Sequence, residues 1–249
     1  FDFYMKPSIS VCMATYNGSD YIREQLDSIL PQLNDDDEIV ISDDHSSDDT
    51  IERIKALGDP RIKIFYNTGE QGFTSNFENA LKHATKPIIF LSDQDDIWMP
   101  SKVTYCMERL AGGCDLVVHD AVVVDENKNV LHDSFYRVRH VHRTLIGNLV
   151  KFGYLGCCMA FRREILEVAL PFPTNRKYCL HDNWLYLVGS AFFKSIIVNE
   201  KLILYRRHTH NTSTGGIGSS TTTVGFKLKY RFYLLCRLID RMRLDRRRK

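Results

Sequence analysis

Ile88-Ile89-Phe90-Leu91-Ser92-Asp93-Gln94-Asp95-Asp96 is the stretch on which the fold turns. Four consecutive apolar residues bounded by polar ones read as a buried strand of the parallel type, too short for a helix. The three carboxylates that follow, with a D-x-D spacing at Asp93 and Asp95, repel one another. Gathering them at a strand end is favourable only if a cation or ligand donors neutralise them. A hard divalent ion suits such oxygens. Mg²⁺ or Mn²⁺ would be held by one or two of them, with positions left open for diphosphate oxygens. The competing reading is a solvated acidic turn, and the position at a strand end decides against it.

Upstream of this stretch, short β-branched runs alternate with amphipathic segments, the pattern of βαβ units in a parallel sheet covered by helices. Strands are predicted at 9–13, 38–42, 62–66 and 87–92. Helices between them follow the spacings of Tyr21, Leu26 and Leu30, of Ile51, Ile54 and Leu57, and of Phe73, Phe77, Ala80 and Ala84. Ser19 and Ser47 are the predicted N-caps. A helix over 100–110 and a strand over 115–120 follow. Beyond residue 120 the alternation breaks into a hairpin-like 122–124, a polar turn at 125–129 and a His/Arg-rich stretch over 132–143. Strands near 157–161, 195–199 and 202–206 and helices at 163–169 and 182–192 complete the reading.

The whole chain has 249 residues, 44% apolar and 26% charged, which fits one large domain or one domain with an appendage. We expect a domain over 1–210, in two halves at 7–120 and 121–210. A Ser/Thr/Gly-rich linker or lid over 211–225 then leads to a basic amphipathic helix over 226–249. That tail holds ten Lys/Arg against Asp240 and Asp245, so the net charge of +2 conceals an acidic body of −6. An acidic body argues against a nucleic-acid binder, whose basic face would lie on the folded domain. In the tail, Leu228, Phe232, Leu235, Ile239 and Met242 form one apolar stripe among basic residues. That fits peripheral contact with an anionic membrane; docking on the domain or on a second subunit is the alternative.

From seven cysteines without a C-x-x-C pair we expect a reduced, cytoplasmic protein, placed peripherally at the inner face of the membrane by its tail. The longest nearly apolar stretch, 184–193, is broken by Gly189 and Ser190 and falls short of the roughly 18–20 residues that span a bilayer. The chain begins at Phe1, which leaves a preceding targeting segment open.

In open α/β sheets ligands bind outside the carboxyl ends of the strands, and each early strand here runs into polar residues. These are Thr15-Tyr16-Asn17-Gly18, Asp43-Asp44-His45-Ser46, Asn67-Thr68-Gly69 with Gly72, and Asp93-Gln94-Asp95-Asp96. Ser10 to Gly18, Asp43 to Thr50 and Leu91 to Trp98, in this order and spacing, resemble glycosyltransferase family 2 over roughly residues 7–215. Gly72, Asn76 and His181-Asp182-Asn183-Trp184 also resemble that family, and Tyr205 to Asn211 resembles its bacterial rhamnosyltransferase-like members.

The resemblance implies a GT-A, Rossmann-like α/β fold with a mostly parallel central sheet flanked by helices and a smaller acceptor-side region. It also implies a metal-dependent, inverting transfer of a sugar. The donor would be a UDP- or dTDP-sugar and the acceptor a glycan or lipid-linked molecule in cell-surface polysaccharide or lipopolysaccharide synthesis. Thr15, Tyr16 and Asn17 would cradle base and ribose, and Asp43 would accept from the pyrimidine N3–H, while Asp44 joins them or braces the loop. Gly72, Asn76, Asp93 and Gln94 complete the nucleotide-sugar set. Asp95, assisted by Asp93 or Asp96 and by His208 or His210, with His208 preferred, would hold the metal. Asp182 would be the general base, with His181 standing where the family usually has Glu.

The purely structural readings are core packing for Tyr16 and His181, an Asx turn for Asp43 and a helix-terminal charge for Asp182. Arg206 and Arg207 would pair with diphosphate or only blunt a sheet edge. The competing functions are a catalytically inactive GT-A sugar-nucleotide-binding subunit and a sugar-nucleotide nucleotidyltransferase, although the lysine-bearing glycine loop of the latter is missing.

Overall fold

A computed structural model describes residues 7–209, 211 and 223–246. In chain order the elements are β1 (Ile9–Thr15), α1 (Ile22–Ile29), β2 (Glu38–Asp43), α2 (Thr50–Lys55), β3 (Ile62–Tyr66), α3 (Phe73–His83), β4 (Ile88–Ser92), β5 (Ile97–Trp98) and α4 (Lys102–Ala111). There follow β6 (Leu116–Val124), β7 (Val130–His132), α5 (Phe135–Arg139), α6 (Leu145–Val150), β8 (Met159–Arg162), α7 (Glu164–Ala169), α8 (His181–Phe192), β9 (Ser195–Arg206) and α9 (Val224–Arg246). One sheet runs β3-β2-β1-β4-β8-β6-β9-β5, with β7 beside β6. The first four strands pair in parallel, and β6 pairs in parallel with β9; β8, β5 and β7 run against their neighbours. This mostly parallel sheet flanked by helices is the GT-A architecture that the resemblance implies.

The near-continuous apolar runs of β1, β2 and β4 are buried on both faces, as crossover helices on a parallel sheet require. Register decides where the chemistry sits. Thr15 pairs with Asp43 and Met13 with Ser92, so β1, β2 and β4 end on one edge.

The second half departs from the sequence reading. The predicted strand and hairpin over 115–124 form one strand, β6, with register shifts about Asp120, and the two late strands form the single β9. Two helical turns, α5 and α6, occupy the region around the His/Arg-rich stretch, capped by the side chains of Ser134 and Thr144. Ser19 and Ser47 are not caps. Tyr21 and Asp49 occupy those positions without side-chain capping: Gly18 O takes the Tyr21 and Ile22 amides, and the Thr50 amide goes to Asp48. Its carboxylate accepts from Ser19 N at 3.0 Å and from Thr50 N at 3.1 Å. Most of the expected linker lies outside the described residues. All seven cysteines are free thiols. Among the described residues no helix is long and apolar enough to cross a membrane.

At the opposite end of β2 a buried carboxylate stitches the sheet together. Glu38 accepts from Ser10 Oγ (2.6 Å), Thr85 N (2.7 Å), Thr85 Oγ1 (2.8 Å) and Lys63 Nζ (2.6 Å), joining β1, β2, β3 and the approach to β4. Burial opposes its ionisation, but these donors together outweigh burial and hold its pKa at about 2. A folded-state pKa below the ordinary value supplies stability that is present above about pH 4.5 and lost as pH falls towards 2. Glu38→Ala, which strands these donors, is expected to cost about 3 kcal/mol in urea unfolding at neutral pH. A loss below about 0.5 kcal/mol, the range of an ordinary surface substitution, would show the network to be idle.

Candidate active site

The edge where β1, β2 and β4 end carries two adjoining networks. The first joins the ends of β1 and β2. The buried Asp43 carboxylate accepts from Thr15 Oγ1 (2.9 Å), Ser46 N (2.7 Å) and Ser46 Oγ (2.6 Å), a contact set that follows from the Thr15–Asp43 register. Asp43 therefore does close an Asx-type turn. Asp44 braces the next loop, accepting from Asn67 Nδ2 and Gly72 N, each at 2.8 Å. Gly72 precedes α3 with φ of +130°, a conformation that other residues rarely adopt. Asn76, one turn on, donates to Thr15 O at 3.0 Å, while its own buried Oδ1 has no partner among the described residues. Asn17 accepts from Ser47 N at 2.8 Å.

Tyr16 is 48% exposed, which removes the core-packing reading. Its backbone forms a reciprocal pair with Gln94: Tyr16 N donates to Oε1 at 2.9 Å and Gln94 Nε2 donates to Tyr16 O at 3.0 Å. This pair ties the first network to the acidic segment. A Cβ on Gly18 would stand 2.3 Å from Gln94 Oε1, so a larger residue there would push the Gln94 amide out of this pairing.

The second network is the acidic segment itself. Antiparallel pairing of β5 with β9 carries Arg206 and the residues after it alongside Asp95 and Asp96. Asp95 Oδ2 consequently lies 2.8 Å from His208 Nε2 and 3.1 Å from Asn211 Nδ2, and the His208 ring stacks on Tyr21. Arg206 is absorbed structurally. Its side chain donates to Asp95 O and Glu24, and its backbone N–H donates to Asp96 Oδ1, so the diphosphate role considered for it does not fit. Arg207 donates to the Tyr205 hydroxyl at 3.1 Å. His210 lies outside the described residues.

Asp93 and Asp96 have a different neighbour, the Cys157 thiol, and the three groups place ligand-type atoms within 4.8 Å of one another. The antiparallel register of Phe90 with Ala160, continued, brings the turn Gly156–Cys158 to the end of β4. Burial, helped by the Asp95 charge, lifts Asp93 to about 7 and Asp96 well above the carboxylate range. Beside them lies a fully buried lysine. Lys102 Nζ donates to Cys157 O at 2.6 Å and sits 4.0 Å from the Trp98 ring centroid, and its charge favours ionisation of Asp93. The sequence motifs single out neither Cys157 nor Lys102. No spacing betrays Cys157, but Lys102 falls four and eight residues before Cys106 and Leu110, on the stripe that α4 buries.

Asp182 lies in the first turn of α8, and its Cβ stands 3.4 Å from where a Cβ on Gly156 would be, next to the Cys157 that adjoins Asp93. Burial lifts Asp182 to about 6, and Asn183 N donates to it at 2.7 Å. His181 packs against aromatic rings. It stacks on Phe77 at 4.1 Å, neither ring nitrogen has a partner among the described residues, and burial drives its pKa down to about 3, so it is neutral. The residue that replaces the family's usual Glu thus adds no charge next to Asp182.

The donor set fits a hard divalent ion. Asp95 and His208 offer a carboxylate oxygen and an imidazole nitrogen at a strand edge, and the buried Asp96 Oδ2 accepts no hydrogen bond from the described residues.

A folded-state pKa raised from 3.8 to about 6 means that stability falls as pH rises across that interval. Asp182→Asn is therefore expected to be more stable than the parent at about pH 8, by roughly 1–3 kcal/mol in unfolding free energy, with the advantage shrinking towards about pH 4. A lower melting temperature at both pH values would assign Asp182 to helix support.

The family model for "Glycosyl transferase family 2" matches residues 10–170. The dTDP-rhamnosyl transferase RfbG of Shigella flexneri is 31% identical over 238 residues, covering 88% of this chain and 77% of its own. The Escherichia coli UDP-Glc:alpha-D-GlcNAc-diphosphoundecaprenol beta-1,3-glucosyltransferase WfaP is 35% identical over 207 residues, covering 82% and 79%. The chain spans 66% of the length of an uncharacterised glycosyltransferase of Nostoc sp., to which it is 26% identical over 212 residues, 82% of this chain. Among solved structures, S. aureus TarS 1-349 in complex with UDP-GlcNAc superposes at TM-score 0.67 with 16% identity, covering 92% of this chain and 72% of that one. Glucosyl-3-phosphoglycerate synthase from Mycobacterium tuberculosis, in complex with Mn²⁺, UDP and glucosyl-3-phosphoglycerate, superposes at 0.58 with 19% identity, covering 94% and 80%. With an acid-lined strand edge and a family match that runs from β1 through α7, the chain belongs to glycosyltransferase family 2 and is a glycosyltransferase.

Proposed function

We propose that the protein moves a sugar, with inversion, from a UDP- or dTDP-sugar to a glycan or lipid-linked acceptor of a cell-surface polysaccharide, at the cytoplasmic face of the membrane. The observation that carries this reading is the convergence on one edge of Asp93, Asp95 and His208, with Asp182 held against the Gly156–Cys158 turn beside Asp93. RfbG is named for a dTDP-linked donor, and WfaP for a UDP-linked donor and a diphosphoundecaprenol acceptor; both names support these classes.

Asp95 and His208 would hold Mg²⁺ or Mn²⁺, with Asp93 or Asp96 assisting, and the ion when bound would stabilise charge on the departing diphosphate. A solved protein of this fold contains Mn²⁺ with UDP. The exposed Tyr16 ring offers a face for the base, with Thr15 and Asn17 shaping the loop around it. Asp43 keeps lone-pair capacity for a pyrimidine N3–H beyond the three donors it accepts. Asp44, Gly72, Asn76 and Gln94 hold those loops in place. As the acceptor oxygen bonds to C1 from the side opposite the diphosphate, its proton passes to the Asp182 carboxylate and the C1–O bond to diphosphate breaks. A base with a pKa of about 6 is ionised at neutral pH yet basic enough to take the proton.

UDP or dTDP is expected to raise the melting temperature only when Mg²⁺ or Mn²⁺ is present, and Asp95→Ala should abolish that dependence. Equal stabilisation in chelator would refute the metal assignment. Asp182→Asn should lower transfer of radiolabelled sugar about 10²–10⁴-fold while nucleotide still binds. Near-normal transfer would remove Asp182 from the mechanism, and no transfer from any sugar nucleotide by the parent would favour an inactive binding subunit.

A further inference from the structure

α9 packs on the body of the protein, but not by the stripe its sequence advertises. Leu234 and Leu238 are buried against the body, with the Tyr230 and Tyr233 rings partly so. The other stripe, Leu228, Phe232, Leu235, Ile239 and Met242, faces solvent, each residue between 38% and 70% exposed. At about 100° per residue the two stripes point in well-separated directions, so docking and an exposed apolar face coexist on one helix.

A second element extends that face. Arg231 donates through Nε to Val150 O at 3.0 Å, which fixes the end of α6 beside α9. On α6, Ile146 is 75% and Val150 53% exposed. The tail's own spacing could not foretell this continuation, because α6 meets α9 only through the tertiary fold.

We infer that the joint apolar face of α6 and α9 is a docking surface for an anionic lipid bilayer. Charge selects this occupant. Lys227, Lys229, Arg231 and Arg243 flank the exposed α9 stripe, whereas Arg241 turns to Pro171 O on the body and Arg237 pairs with Asp240. A second copy of the chain joined about a two-fold axis would set this basic rim against itself, whereas an anionic surface complements it. The side of α9 that faces the body anchors the helix beside the catalytic region. Asn183 Nδ2 contacts the Tyr230 hydroxyl and Asn175 N donates to the Tyr233 hydroxyl at 3.2 Å, so α9 is tied to the segment that carries Asp182. A bilayer held by the outer face of α9 would lie one helix width, roughly 10 Å, from the segment that carries Asp182, within reach of a lipid-linked acceptor. That last placement rests on the transfer reading; binding to lipid does not.

The test is flotation of the full chain with vesicles of phosphatidylglycerol and phosphatidylethanolamine, and with phosphatidylcholine alone, at low and high salt. The protein should float with the anionic vesicles at low salt and be released at high salt. Phe232→Ser with Ile146→Ser should weaken partition at least about tenfold without lowering the melting temperature, because both side chains are exposed. Lys229→Gln and Arg243→Gln should each weaken it about fivefold at low salt. Equal flotation with phosphatidylcholine, or undiminished flotation of the apolar double variant, would overturn the inference. So would a dimer, seen by sedimentation, that Phe232→Ser dissociates while the parent fails to float. Nucleotide-dependent melting shifts on the same preparations separate the outcomes: failed flotation with intact shifts defeats only the membrane surface, and flotation without shifts defeats only the transfer reading.

Discussion

The contact between Asp95 and His208, 2.8 Å long, closes the acidic segment against the end of the last strand, and much of the architecture is explained by what that closure must overcome. Asp93, Asp95 and Asp96 lie within four consecutive positions, and Asp182 joins them from α8. Left to themselves these carboxyls would repel one another and resist burial. The fold answers with its own donors. His208 and Asn211 meet Asp95, the Arg206 amide meets Asp96, and the buried Lys102 lends positive charge to Asp93. Three of these four partners come from the end of β9 and just beyond it, which is why the short β5 matters. Two residues of pairing with β9 set the register that delivers them.

Compensation is partial. Asp93 at about 7 and Asp96 well above the carboxylate range retain a strong tendency to hold protons, while Asp182 at about 6 is poised to exchange one. Groups in one small region are thereby pushed to different tasks by burial and neighbouring charge. His181 contributes by being neutral. A carboxylate in its place, inside the same aromatic packing, would raise the affinity of Asp182 for protons further through like-charge repulsion.

Legibility in the sequence follows the range of the interactions involved. β1 to β4 and their helices could be read because a doubly covered parallel strand is apolar along its length and ends at a polar turn. The candidate edge was legible for the same reason, since Thr15, Asp43 and Asp93 each sit where a strand stops. β5 and β7 were hidden, because strands of two and three residues carry no alternation and are held by β9 and β6 rather than by themselves, and α5 and α6 lie about a His/Arg-rich stretch that masks an apolar stripe. Asp48 displaced Ser47 by collecting the Thr50 amide, and Gly18 O took the Tyr21 and Ile22 amides that a capping Ser19 would need. Cys157 lay beyond any local signal, whereas Lys102 has one that no motif draws attention to, its place as a lone cation on the stripe that α4 buries. For α9 the apolar spacing was visible, yet two apolar stripes were present, and only tertiary packing decided which one the body covers.

Anomalous scattering of Mn²⁺ in crystals grown with UDP measures the proposed centre most directly. One strong peak is expected, bonded to Asp95 and His208, with diphosphate oxygens completing its shell and the uracil ring beside Tyr16 and Asp43. A peak among Asp93, Asp96 and Cys157 with Asp95 and His208 still paired to each other, or UDP bound away from this strand edge, would contradict it.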